Sequence, residues 1–120
     1  MSKPILCLDF DGVLHSYTSS WKGADVVPDP PVPGALEFMI EAEKYFTIKI
    51  YSSRSNQPGG IKAMHDWICK HLGYEPDFLV EAFPTEKPPA FLTIDDRAIQ
   101  FTGTFPSIQS LIDFKPWNKK

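Results

Sequence analysis

Ile5-Leu6-Cys7-Leu8-Asp9-Phe10-Asp11-Gly12 begins as an unbroken apolar run and ends in two carboxylates and a glycine. The run from Ile5 to Leu8 shows no alternation, so it reads as a strand buried on both faces, as in a parallel sheet. Asp9 and Asp11 then fall at the carboxyl end of that strand, the edge where open α/β sheets bind their ligands. They lie two residues apart, so on a continuing strand both would point to the same side. Carboxylates placed together repel each other, and a divalent cation is the usual remedy. Gly12 allows a sharp turn and lets backbone N–H groups approach an anion. Taken alone, the stretch also reads as a plain surface turn, because Asp-Gly is a common turn signal. The rest of the chain has to decide between the two.

The 120 residues fit one domain of ordinary size, enough for one hydrophobic core with about five strands. Hydrophobic residues make up 42% and charged residues 22%, which places the chain among globular rather than disordered sequences. A net charge of −3 offers no basic field for holding long nucleic acid, though a short nucleic-acid end is not excluded. No apolar run approaches the roughly 20 residues needed to span a bilayer. One lysine followed by proline and a strand does not resemble a signal peptide. Cys7 and Cys69 sit in apolar patterns and read as small buried hydrophobes rather than a disulfide or metal pair. A reducing cytoplasm is the expected location.

Beyond the first strand, residues 12–33 form a long excursion of the kind that is usually functional or flap-like. Asp25 to Val27 is a candidate returning strand, and Asp29-Pro30-Pro31-Val32-Pro33-Gly34 is stiff and non-helical. Tyr17 and Trp21 either wall a pocket or cover the core edge. A helix is predicted near 34–45, from Leu36, Met39 and Ile40 at helical spacing. A strand follows over Phe46 to Tyr51 and ends in Ser52-Ser53-Arg54. A second helix is predicted from Gly60 or Ile61 to His71, with Gly73 as its cap. Pro76 to Val80 is a candidate short strand. Phe91-Leu92-Thr93-Ile94 is another buried-strand run, and it ends in Asp95-Asp96-Arg97. Ala98 to Phe101 suggests a last strand, Pro106 to Phe114 a weak helix, and Lys115 to Lys120 a tail. Nothing separates the chain into two domains, so 1–120 is expected to be a single one.

Three predicted strands therefore end in polar clusters, at Asp9/Asp11, at Ser52/Arg54 and at Asp95/Asp96. In a parallel sheet all three share one edge. In this order the residues resemble the haloacid dehalogenase-like (HAD) phosphotransferase superfamily. Its pattern is Asp-x-Asp-Gly after a strand, Ser or Thr after a second, a Lys, then paired acids after a third. Here these would be Ile5–Gly12, Phe46–Ser52, Lys87 and Phe91–Asp96. A closer likeness is to the phosphatase domain of phage polynucleotide kinase, through Ser52-Ser53-Arg54 and Ile94-Asp95-Asp96-Arg97. The phosphate-binding loop of that protein's kinase half is absent from the sequence.

The resemblance implies a three-layer Rossmann-like α/β fold with a central, mainly parallel sheet. A separate cap domain is not expected, because 12–33 is too short for one. It implies Asp9 as nucleophile and Asp11 as the acid and base partner. Mg²⁺ would be held by Asp9, the backbone carbonyl of Asp11, and Asp95, with Asp96 orienting metal-bound water or Lys87. Gly12, Ser52, Arg54 and Lys87 would bind the phosphorylated substrate. For several of these a plainer role stands open: Ser52 as a cap, Lys87 as a solvated side chain with Lys62 in reserve, and Arg54 in a structural ion pair with Asp96 or another acid. His15 reads as a packing or flap residue, Arg97 as an anchor of its loop, and His65 and His71 receive no role.

The expected activity is a Mg²⁺-dependent phosphomonoesterase, with a nucleotide or a nucleic-acid 3′-phosphate as substrate. A sugar-phosphate phosphatase is the alternative enzyme, and a non-catalytic metal- or phosphate-binding module is the alternative outside enzymes. A signalling receiver domain also uses acids, a Ser/Thr and a Lys, but places its paired acids early, whereas Asp95-Asp96 comes late. The sequence does not set the oligomeric state.

Overall fold

The protein is seen in a computed structural model that describes residues 3–119. Met1, Ser2 and Lys120, the outer ends of the expected lead and tail, lie outside the described residues. The apolar run forms the central strand β1, Ile5–Leu8, flanked by β2, Thr47–Ile50, and β3, Leu92–Ile94. The order is β2-β1-β3 and both pairings are parallel. Leu8 stands opposite Ile50 on one side and Ile94 on the other, so the three strands finish in one row. An α/β chain with a small open parallel sheet, compatible with a Rossmann-like arrangement, is thus observed.

Three helices and three short 3₁₀ turns complete the described chain. Helix α1, Ala35–Ala42, buries Ala35, Leu36, Met39 and Ala42, the helical spacing of one face. Helix α2, Gly60–Leu72, buries Met64, Trp67 and Ile68. It ends at Gly73, which takes φ 85° and donates its N–H to the Cys69 carbonyl, the cap predicted from sequence. Helix α3, Ile108–Ile112, is shorter than the 106–114 expected. The 3₁₀ turns are Ser53–Asn56, Asp77–Glu81 and Trp117–Lys119. The core gathers Leu6, Leu8, Phe10, Ile48, Ile50, Met39 and Ile68 between sheet and helices. Full burial of each such side chain contributes about 1.5–3 kcal/mol.

Several sequence expectations are corrected. Residues 76–80 are not a strand: Asp77–Glu81 is a 3₁₀ turn. Its Leu79 is buried while Val80 is exposed, and Pro76 followed by an acid favours a helical start. The turn closes beside β2, where the Ile50 N–H donates to the Ala82 carbonyl. Neither Asp25–Val27 nor Ala98–Phe101 forms a strand, so the described sheet has three strands rather than about five. With no flanking strand beyond it, β3 is exposed along its length instead of buried. Phe101, Phe105, Ile108 and Ile112 after it are exposed as well. The expected tail is docked: Trp117 Nε1–H donates to the Gly12 carbonyl at 2.7 Å and Asn118 Nδ2–H to the Ser16 carbonyl at 2.9 Å. Among the described residues no helix is long and apolar enough to cross a membrane.

One contact sets how closely α2 approaches the end of β2. A Cβ at Gly60 would overlap the backbone carbonyl of Arg54. Gly60→Ala is expected to lower stability by about 1–3 kcal/mol, the usual range for forcing volume into a packed site. Urea unfolding should show a lower midpoint at an unchanged slope.

Candidate functional site

The strand ends create an acidic site. Asp9 follows β1 directly, and its N–H donates to the Ile94 carbonyl at 3.0 Å, which draws the end of β3 alongside. Asp95 and Asp96 follow that carbonyl in sequence. One carboxylate oxygen from each of Asp9, Asp95 and Asp96 lies within 4.8 Å of the others. The Asp9 Oδ1 accepts the Phe10 N–H at 2.8 Å and the Asp95 Oδ1 accepts the Arg97 N–H at 2.8 Å. Burial, and then the neighbouring charge of Asp95, push the Asp9 carboxyl up to about 8. The single N–H from Phe10 does not compensate. An all-oxygen set short of positive charge is the donor chemistry of a hard divalent cation, so these residues fit one.

Gly12 is needed for this approach. Its φ is 85°, and a Cβ there would overlap the Asp96 carboxylate. The carboxylates open into a cavity of about 270 Å³, lined by Asp9, Asp11, Tyr17, Ser53, Asp95, Asp96 and Arg97. A larger hollow of about 380 Å³ lies beside the start of β2, lined by Lys3, Glu43 and Lys49 among others. No group of carboxylates converges there, so the smaller cavity is the candidate site.

Asp11 is set apart from Asp9 by its partners. Arg54 Nε–H donates to its Oδ2 at 2.9 Å, and His15 Nδ1 lies 2.9 Å from its Oδ1. His15 Nε2 accepts the Asp29 N–H at 3.0 Å, which leaves Nδ1 to carry the ring proton toward Asp11. Burial pushes the Asp11 carboxyl up, but the hydrogen bonds from His15 and Arg54 outweigh it and hold it below the usual carboxylate range. His15 is itself fully buried, stacked on Phe10 and edge-on to Trp67. Trp67 Nε1–H donates to the Asp29 carbonyl at 2.9 Å, which closes the ring of contacts.

Arg54 departs from the substrate-facing role implied by the resemblance. Its side chain is 0% exposed. Besides Asp11, its Nη1 donates to the carbonyls of Gly23, Ala24 and Val26. Trp21 lies over the guanidinium, 4.9 Å from ring centre to Cζ. Nη2 is buried without a partner among the described residues. The ion pair read as an alternative is therefore present, with Asp11 rather than Asp96. The 12–33 excursion is consequently tied down over the site.

The remaining sequence candidates separate. Ser52 is buried, and its hydroxyl accepts the Arg54 N–H at 3.2 Å as the cap of the following turn. Its neighbour Ser53 lines the cavity instead. Lys87 is exposed on the connection before β3 and does not line the cavity. Its charge still reaches the Cys7 thiol, opposing the rise caused chiefly by burial. The Asp11 carboxylate does not belong to the convergent trio, which is Asp9, Asp95 and Asp96. Tyr17 does wall the pocket, at φ 61°, whereas Trp21 covers Arg54. Arg97, read from sequence as an anchor of its loop, lines the cavity, as does Ser53, to which the sequence reading gave no role. The i, i+4 spacing of Asp11 and His15 was the available signal for their pairing. Compared with family models, with curated proteins and with solved structures, the chain finds no significant match in any of the three.

Two outcomes follow from the charges. Asp9 has a raised carboxyl, so its protonation stabilises the metal-free fold at low pH, and that contribution is lost as pH rises through about 8. A divalent cation needs the carboxylates ionised and competes with that proton. Mg²⁺ should therefore raise the melting temperature more at pH 8 than at pH 5, and Asp9→Asn should reduce the difference, as read by differential scanning fluorimetry. Arg54→Met leaves Asp11 without its cation and three carbonyls without a donor. It is expected to cost about 3–5 kcal/mol in denaturant unfolding, with new protease cleavage near Gly23–Val26.

Proposed function

We propose that the protein is a metal-dependent phosphomonoesterase of the HAD-like kind, working through a phosphorylated Asp9. The observation that carries this reading is the convergence of Asp9, Asp95 and Asp96 at the carboxyl ends of neighbouring parallel strands. The finer fold assignment that goes with it is a single three-layer Rossmann-like domain over 1–120 with no separate cap. The order of motifs from Asp-x-Asp-Gly to Asp95-Asp96 supports that assignment.

In this reading an Asp9 carboxylate oxygen attacks phosphorus, and the bond from phosphorus to the ester oxygen breaks. The departing alcohol takes a proton from the protonated form of Asp11, and Asp9 is left as an aspartyl-phosphate. Water then attacks that phosphorus, returning the Asp9 carboxylate and releasing phosphate. Asp11 lines the same cavity and is held ionised, so it is suited to take the proton from the attacking water. Serving first as acid requires it to carry a proton against the pull of Arg54. Asp9, Asp95 and Asp96 would hold Mg²⁺, the hard cation that we propose, together with the backbone carbonyl of Asp11. The ion would offset repulsion between the anionic nucleophile and the phosphate. Arg97 and Ser53 are the lining groups placed to receive phosphoryl oxygens, and Arg54 acts through Asp11.

A nucleotide or nucleic-acid 3′-phosphate is the substrate class that we favour. Tyr17 on the wall offers a face on which a base can stack. A cytoplasmic setting agrees with two free cysteines. The second reading is a metal- or phosphate-binding module without turnover, favoured by the tight engagement of Asp11 with Arg54 and His15.

The test is phosphate release with and without Mg²⁺ from p-nitrophenyl phosphate, mononucleotides, a 3′-phosphorylated oligonucleotide and sugar phosphates. Release is expected to require Mg²⁺ and to fall to background in Asp9→Asn. Turnover that survives Asp9→Asn would remove Asp9 as nucleophile. Folded protein that binds Mg²⁺ and releases nothing would favour the binding module.

A further inference from the structure

Away from the acidic cavity, one face of α2 carries an unrelated set of donors. His65 and Cys69 are four residues apart and so lie one above the other on the helix. Gly73 ends the helix, and the chain beyond it brings Glu75 back beside His65. His65 Nε2 is 3.3 Å from the Glu75 Oε1 and 3.8 Å from Cys69 Sγ, and the three ligand atoms all lie within 4.8 Å of one another.

We propose that His65, Cys69 and Glu75 form a metal site for a borderline divalent cation of the Zn²⁺ class. The argument is first one of size. Zinc holds nitrogen and oxygen at about 2.1 Å and sulfur at about 2.3 Å, so a tetrahedral site separates nitrogen from oxygen by about 3.4 Å and nitrogen from sulfur by about 3.6 Å. The observed 3.3 and 3.8 Å already stand at those separations. Cys69 Sγ and the Glu75 carboxylate oxygen, within 4.8 Å of each other, are the pair that closes on an ion by side-chain rotation.

The second argument is the support behind the histidine. An Asp66 carboxylate oxygen lies 3.2 Å from His65 Nδ1. A carboxylate there holds the ring proton on Nδ1 and turns the Nε2 lone pair toward Cys69 and Glu75, the arrangement usual behind a metal-ligating imidazole. Asp66 is in turn held by Lys62, and the Phe83 ring packs against the imidazole at 6.2 Å between centroids. The ring is therefore oriented before any ion arrives.

The third argument is softness. One sulfur, one nitrogen and one oxygen suit a borderline ion, whereas the three aspartates of the cavity suit a hard one. The two sites would thus sort different metals. Three protein ligands leave a fourth position for water. An ion here would clamp the end of α2 to the turn after it, and its occupancy would add to stability by mass action.

The test uses the full chain, reduced and freed of metal, titrated with Co²⁺ as a spectroscopic stand-in for Zn²⁺. A thiolate-to-cobalt charge-transfer band is expected, with the visible bands of a tetrahedral site, saturating at one equivalent and displaced by Zn²⁺. The cavity aspartates contain no sulfur and cannot produce that band. The band should vanish in Cys69→Ser and persist in Cys7→Ser. Asp66→Asn should weaken binding by about 10–100-fold, as loss of a supporting carboxylate does elsewhere. Folded wild-type protein without the band, a band that survives Cys69→Ser, or undiminished affinity in His65→Ala would each overturn the site.

Discussion

A buried charge must be paired, and in this protein the pairing of Arg54 with Asp11 organises the face on which the chemistry would occur. The guanidinium follows β2, the carboxylate follows β1, and the three carbonyls that share the guanidinium belong to the excursion between β1 and α1. One side chain therefore fixes three segments that are remote in sequence. Its planar fork suits this better than an ammonium would, because several donors are needed in set directions. The close seating of Gly60 against the Arg54 backbone shows that α2 is fitted to the same residue.

That pairing also divides the labour of two carboxylates only two residues apart. Asp9 faces Asp95 and Asp96 with one N–H in compensation, so its carboxyl is raised. Asp11 faces Arg54 and His15, so its carboxyl is lowered. Neighbours, rather than residue type, set the two apart, as is general for acid and base pairs. The parallel register supplies the rest. Because Leu8, Ile50 and Ile94 end in one row, whatever follows them meets at one edge.

Much of this arrangement was legible in the residues. Unalternating apolar runs ending in polar clusters announced a parallel sheet with its charges on one edge, and Asp9, Asp95 and Asp96 do meet there. The helices were readable from spacing, and Gly73 from its place after α2. What escaped was set by tertiary contact. Pro76 to Val80 is a short apolar run, and such runs do not distinguish a strand from a helical turn until one sees which side chain is buried. Arg54 looked like a ligand for phosphate because guanidinium groups commonly are, and nothing local reveals three carbonyls supplied from some thirty residues earlier. Ser52 and Ser53 differ only in which hydroxyl the turn geometry consumes. The exposure of β3 depends on strands that did not form, an absence no local pattern encodes.

The hydrogen bond from Trp117 to Gly12 spans 105 residues. A ribosome makes the Asp-x-Asp-Gly turn long before the tryptophan that supports it. During synthesis β1 can pair with β2 well before β3 emerges, and Asp9 has no Asp95 beside it until β3 has been translated. Contacts this distant in sequence are closed late, because the entropy of ordering the intervening chain has to be met first. The nascent chain therefore carries the Asp9 turn without the neighbouring charges until β3 has emerged. Any affinity of the Asp9, Asp95 and Asp96 carboxylates for a cation would arise only after that point.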